Sequence, residues 1–295
     1  MGQALMVLRA EGEAAMIEQA VSVVDAHVHI WTPDRKRFPH DRSYSGPEYH
    51  PDSFTAEQML AIAGPCGVNR VVLVEMSFYG TDNSYLLHAI KSYPGVFSGI
   101  AVVDYDSPEL ESEMMRLRSL GMRGFRVNRG NRGADWLETQ NMQSFWQHAA
   151  EKRMAICPLI DSESIPALDR MCARFPATVV VVDHMARIGI DGHVRPETVQ
   201  SLCKLAQHPG AHVKVSAFYA LGKKQYPYTD LVPMIHALYD AYGPGRLMWG
   251  SDSPFQAEAP HSYSGSLELV WDRLDFLTPA DAEWLLRKTA ETIFF

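Results

Sequence analysis

Cysteine is scarce: four in 295 residues, Cys66, Cys157, Cys172 and Cys203, with no C-x-x-C pair among them. In a chain this long that excludes a disulfide-stapled secreted scaffold and reads as reduced thiols in a cytoplasmic protein. Long apolar runs are also missing. Purely aliphatic stretches reach only four residues, as at Val179–Val182, far short of the roughly 20 needed to cross a bilayer, so no membrane span is expected. The opening MGQALMVLRAEGEAAMIEQA has no basic segment followed by a sustained apolar stretch. It is therefore expected to be an extension over residues 1–20, outside a single domain spanning 21–295, and not a secretory signal. Positive charge is in deficit as well: the net charge is −8 and the pI is near 5.8, which disfavours a nucleic-acid partner. What is present is an ordinary globular composition, 46% hydrophobic and 21% charged, enough to fill a substantial core.

Short β-branched runs recur along the chain: Val21–His29, Arg70–Glu75, Phe97–Val103, Met122–Val127, Met154–Leu159, Thr178–His184, His212–Ala217 and Arg246–Gly250. Runs such as RVVLVE and TVVVVD are apolar on both faces, as a parallel strand covered on each side must be. Helical signals separate them at Phe54–Ala63, Asn83–Lys91, Glu109–Leu120, Ser164–Phe175, Glu197–Ala206 and Pro279–Thr292, several with a proline at the first turn. WLETQNMQSFW carries the apolar stripe of one more helix. No G-x-G-x-x-G follows the first run and no linker divides the chain, so an open doubly wound sheet is disfavoured. The expected fold is α/β, a distorted single-domain (β/α)₈ TIM barrel. Two long polar stretches, Trp31–Asp52 and Phe218–Asp230, follow strand ends, the side on which barrels build their active sites.

The chemistry-bearing residues fall at those ends. Strand alternation turns His27 and His29 to one side, with Asp25 below them on the same face. A single H-x-H pair is close to chance for 12 histidines, and position gives it weight. His184 closes the sixth run and Asp252 follows the eighth, where an unpaired carboxylate is costly unless a cation or hydrogen bonds compensate it. Each also has a plain structural reading, His184 as a satisfied core histidine and Asp252 as the N-cap of a turn. Four arginines lie in MRGFRVNRGNR, an anion-binding candidate in an acidic chain. Arg126 and Asn128 share a face at a strand end, whereas Arg129 and Arg132 read equally as solvated. Ser77, Tyr79 and Asn83 follow the second run and are candidates for hydrogen-bonding substrate oxygens. His40, Tyr44 and Tyr49 on the first long loop, and Lys223, Lys224, Tyr226 and Tyr228 on the second, are candidates to cover the site.

DAHVH, VVVVDH and MWGSDSPF, with WTPDRKRFP, SFYGTDN and MRGFRVN between them, resemble the metal-dependent amidohydrolase superfamily. The nearer likeness is to its amidohydrolase-2 branch, which holds 2-pyrone-4,6-dicarboxylate and sugar-lactone lactonases, and it runs from about Val23 to Phe295. The resemblance implies a hydrolase that opens a small carboxylated or sugar lactone. It implies His27, His29, His184 and Asp252 as metal ligands, with Asp252 as general base and His184 also catalytic. Arg126, Asn128, Ser77 and Tyr79 would bind substrate. No bridging lysine stands at the fourth or fifth strand end, and the seventh offers Lys214 and Ser216. The implied cofactor is thus one divalent metal at most, with zinc suiting His₃Asp best, and some members of the branch work without it. A metal-dependent decarboxylase of an aromatic or unsaturated acid is the rival enzyme, and a carboxylate-binding barrel without catalysis the rival from outside enzymology. Homo-oligomers are common among such enzymes.

Overall fold

The structure, a computed structural model, describes residues 22–130, 132–133 and 135–295. The expected extension over residues 1–20 lies outside the described residues. The eight β-branched runs form eight parallel strands: β1 (Val23–Val28), β2 (Val68–Val74), β3 (Phe97–Ala101), β4 (Met122–Asn128), β5 (Ala155–Leu159), β6 (Val180–Val182), β7 (Ala211–Ser216) and β8 (Leu247–Gly250). Each is hydrogen-bonded to the next in sequence. The helices are α1 (Ala56–Ala63), α2 (Ser84–Ser92), α3 (Leu110–Ser119), α4 (Gln140–Glu151), α5 (Ile165–Arg174), α6 (Pro196–Lys204), α7 (Val232–Tyr242), α8 (Tyr263–Arg273), α9 (Pro279–Glu283) and α10 (Thr289–Phe294). The sequence pattern does not flag α7 and α8. Local signals set the starts of others: Thr55 and Gln58 make a capping box before α1, and α5 and α6 open on an early proline. No described helix is long and apolar enough to cross a membrane.

Two apolar layers result from strands buried on both faces. The inner one is built from small and medium side chains, Val24, Ala26, Val72, Val74, Ile100, Ala155, Cys157, Val181 and Met248. From α10, Ala290 and Phe294 enter the same cluster and plug the barrel at the N-terminal ends of the strands. Arg70 ties that plug to β2 through Glu291 at 3.2 Å. The larger outer layer lies between strands and helices.

Closure happens at the C-terminal ends. His29 N–H donates to Ser253 O at 2.9 Å, Asp252 N–H donates to His27 O at 2.8 Å, and Val28 and Ser253 form a parallel bridge. The hydrogen bonds that shut the barrel thus seat Asp252 beside His27 of β1 and His29 just past it.

Strict alternation fails in β1. Asp25 pairs with Val71 and Val28 with Leu73, so Ala26 and His27 together stand opposite Val72, a β-bulge. Ala26 and His27 therefore both turn inward, and Asp25 turns outward. This corrects the expectation that Asp25 lies below His27 and His29 on one face. The Asp25 carboxylate instead accepts from Ser251 N at 2.8 Å, His27 N at 3.1 Å and the Tyr263 hydroxyl of α8 at 2.9 Å. It is a staple between β1, the end of β8 and α8.

Candidate active site

A cavity of about 860 Å³ opens at the C-terminal mouth of the barrel, and His29, His184, Arg126, Asn128, Ser77 and Asp252 all line it. Each reaches it for a local reason. The bulge delivers His27, and Gly250 makes room for it, since a Cβ there would sit 2.8 Å from His27 Cβ. After β6 the backbone makes a left-handed turn, with φ between 51° and 53° at His184, Met185, Ala186 and Arg187. That conformation costs on the order of 1–2 kcal/mol per L-residue, and such strain concentrates at functional sites. It swings His184 over the mouth, where Nδ1 meets Ser216 Oγ at 2.8 Å. Asp252 also has a positive φ, 64°.

The four chemistry-bearing residues come together. His27 Nε2 lies 3.3 Å from His29 Nε2, Asp252 Oδ1 lies 3.6 Å and 3.4 Å from these nitrogens, and Asp252 Oδ2 is 3.8 Å from His184 Nε2. The His27 and His184 ring centroids are 4.3 Å apart. His29 Nδ1 donates to the Val74 carbonyl at 2.8 Å, which turns Nε2 to Asp252. His27 Nδ1 faces the Asp183 carboxylate at 3.3 Å, and Nε2 accepts from Arg126 Nη2 at 2.9 Å. Burial, then Lys214, pushes the His27 imidazole well below its ordinary range, and burial brings His184 down to about 4, so both are neutral near pH 7. Burial pushes the Asp252 carboxyl up, but the imidazoles of His184, His29 and His27 outweigh it and hold it well below the usual carboxylate range.

Two imidazole nitrogens and a carboxylate oxygen therefore converge, and among the described residues Asp252 Oδ1 is buried without a hydrogen-bond partner. That arrangement calls for positive charge or a proton donor. The three atoms have the spacing of a metal-ligand set, and the donors suit a single borderline ion. Arg126 Nη2 shares the His27 lone pair, so guanidinium and ion would compete for one ligand atom.

Beneath this layer lies an ionic network the sequence reading missed. Asp183 accepts from Arg126 Nη2 at 3.1 Å and pairs with Lys214 Nζ at 3.1 Å. Lys214 is fully buried, and its Nζ lies 3.1 Å from His27 Nδ1, so both face the same Asp183 oxygen. Burial opposes ionisation of Asp183, yet Lys214 and Arg126 hold it well below the usual range. Arg126 is thus half committed to the protein before any substrate arrives. Its place next to an H-x-H motif in the fold, 99 residues away, leaves no signal in sequence. Tyr219 is a second omission: its hydroxyl donates to Asp252 Oδ2 at 2.8 Å, and the only hint was its place on the long loop after β7.

Other expected residues lie elsewhere. Tyr79 is buried against Phe78, His40 and Tyr85 and is not on the cavity wall, because the short 3₁₀ turn at Ser77–Tyr79 directs it into the core. Asn83 spends its side chain on Thr81 O, Val102 O and Val102 N, joining the ends of β2 and β3. Tyr44 and Tyr49 line the cavity, and Tyr49 meets Ser77 Oγ at 3.3 Å; His40 stacks on Phe78 instead. On the second loop Lys224 bonds Ile190 O, Tyr226 bonds Glu268, and Tyr228 is buried against His261 and Gln256. These residues brace the loop and leave Tyr219 to face the site.

Comparison with known proteins follows the same lines. A family model described as amidohydrolase matches residues 24–295. A 2-pyrone-4,6-dicarboxylate hydrolase of Comamonas testosteroni is 28% identical over 78% of this chain and 76% of its own. An L-fucono-1,5-lactonase of Burkholderia ambifaria is 27% identical over 84% of this chain and 86% of its own. Among solved structures, a zinc-bound amidohydrolase of Burkholderia multivorans superposes with a TM-score of 0.79 at 19% identity, over 92% of this chain and 99% of that one, a likeness of fold.

Proposed function

The chain belongs to the amidohydrolase family, and from that premise we propose that it hydrolyses a small carboxylated or sugar lactone, with Asp252 as general base. It is a hydrolase whose relatives act on lactones, since a pyrone ring is itself a cyclic ester. These relatives support ring opening over the decarboxylation that a His/Asp set also serves. The observation that carries the reading is the Asp252 carboxylate at the cavity floor, with one oxygen taken by Tyr219 and the other buried, unpartnered and facing two imidazoles.

Hydrolysis requires a polarised carbonyl, a deprotonated water and a protonated leaving oxygen. Asp252 Oδ1 takes a proton as the water oxygen bonds to the carbonyl carbon. The ring C–O bond then breaks, and Asp252 returns that proton to the departing oxygen, giving a hydroxy acid. Tyr219 holds the carboxylate in one rotamer by occupying Oδ2. His184, oriented through Ser216, turns Nε2 to the cavity and supports the carbonyl oxygen as charge develops there. Arg126 and Asn128 hold the anionic end of the substrate and set the carbonyl within reach; Ser77 contacts it from the β2 side. One divalent ion, zinc by the chemistry of the donors, would be held by His27, His29 and Asp252 with His184 beside them. When bound it supplies Lewis acidity and a more acidic water.

Asp252→Asn tests the base. Proton release measured over a panel of pyrone, aldono- and deoxyaldono-lactones should show kcat reduced by about 10²–10⁴-fold with the circular dichroism spectrum unchanged. Turnover near that of the wild type would refute the assignment.

A further inference from the structure

Glu75, one residue beyond β2, is unused by the reaction above. It lines the cavity yet is only 1% exposed. Its Oε1 accepts the Met76 amide at 2.9 Å; among the described residues its Oε2 is buried with no partner, and neither oxygen meets a cation. A buried carboxyl so placed costs free energy that a structural role does not return, since no neighbour uses Oε2.

The charges around the cavity give that oxygen a context. Every arginine or lysine lining the described cavity, Arg126, Arg132 and Arg187, comes from β4 or the segments that follow β4 and β6. The acidic lining away from Asp252, namely Asp41, Glu75 and Asp104, comes from the segments after β1, β2 and β3. Asp41 and Asp104 reach solvent, so Glu75 is the acid on that wall whose open oxygen is buried. A substrate carboxylate fits the arginine wall and is repelled by the opposite one.

We propose that Glu75 is a specificity-determining residue that hydrogen-bonds a neutral hydroxyl of the substrate, so that the enzyme takes a lactone carrying its anionic group at one end and a hydroxyl at the other. This rests on the lactone reading above and narrows it, because a second carboxylate at the hydroxyl position is disfavoured. Burial raises the Glu75 carboxyl well above its usual range, with Asp82 adding to the effect. The neutral acid can give its O–H to the hydroxyl oxygen or accept the hydroxyl proton. Sites built to hydrogen-bond a substrate hydroxyl discriminate strongly against the analogue lacking it.

The test uses two non-hydrolysable lactam acids, one with a ring hydroxyl and one without, and reads binding by calorimetry. Wild type should bind the hydroxylated lactam at least about ten-fold more tightly, about 1.4 kcal/mol. Glu75→Met should erase that preference with little change for the deoxy lactam, and Glu75→Gln, which keeps a donor and an acceptor, should restore it. Equal affinity of wild type for the two lactams, binding of neither, or equal weakening of both by Glu75→Met in a variant that melts like wild type would overturn the assignment. A wild type that keeps the preference yet opens no lactone would instead sink the lactonase reading and leave Glu75 in place.

Discussion

Single residues show where polarity serves chemistry and where it serves the frame. Asp25 and Asp252 are both buried carboxylates near the same histidines, but Asp25 is surrounded by donors from three elements. Burial still pushes Asp25 up to about 6 from 3.8, so its charged form is disfavoured in the folded state relative to the unfolded one. The stabilisation its neutral form gives is full below pH 3.8 and is lost as pH rises through about 6. Asp25→Asn keeps the acceptor for Ser251 and removes the ionisation. Unfolding in urea should show the variant gaining about 2 kcal/mol relative to wild type on going from pH 4.5 to pH 7.5; a pH-independent difference would contradict a raised Asp25. His27, His29, His184 and Asp252 stand out in sequence because they fall at or just past the ends of strand runs, and the fold brings the four together. Tyr79 and Asn83 were misread because the turns after β2 decide their direction, and turn geometry is weakly encoded in residue type.

At the level of elements, the bulge in β1 and the small residue facing it form one device. The extra residue in β1 turns His27 inward, and Gly250 of β8 leaves the volume it enters. Gly250→Ala should displace His27, lowering stability by about 1–3 kcal/mol and kcat with it. Thermal melting and turnover should fall together, and wild-type values for both would show that the strand ends are not so tightly packed. The eight strands were legible as β-branched runs, although β6 covers only Val180–Val182 of the expected Thr178–His184. The run is cut short because the chain enters the left-handed turn that presents His184. Sequence periodicity cannot report such a turn, since none of its four residues is glycine.

The whole molecule divides into a mouth that carries strain and buried charge and a base that is closed by packing. Phe294, fully buried, enters the inner apolar cluster from α10, and the Lys214 ammonium sits 5.6 Å above its ring. The plug therefore supports the ionic layer under the active site as well as filling the barrel. Phe294→Ala should cost about 3–5 kcal/mol, seen as a lower urea midpoint with unchanged slope. A loss under 1 kcal/mol would mean that the barrel base collapses onto the gap.

Composition and pattern alone determined the architecture and the strand ends at which chemistry would sit. Eight doubly apolar runs separated by amphipathic segments require helices on both faces of a parallel sheet, and the lack of a G-x-G-x-x-G and of a linker favours the closed barrel over an open doubly wound sheet. Periodicity follows one chain direction and is local. The pairing of Asp252 with His29, of Arg126 with Asp183, and of Tyr219 with Asp252 joins residues from 33 to 223 positions apart. Those partners are chosen by barrel closure, a bulge and a strained turn, and only the folded chain brings them within hydrogen-bonding or Coulomb range.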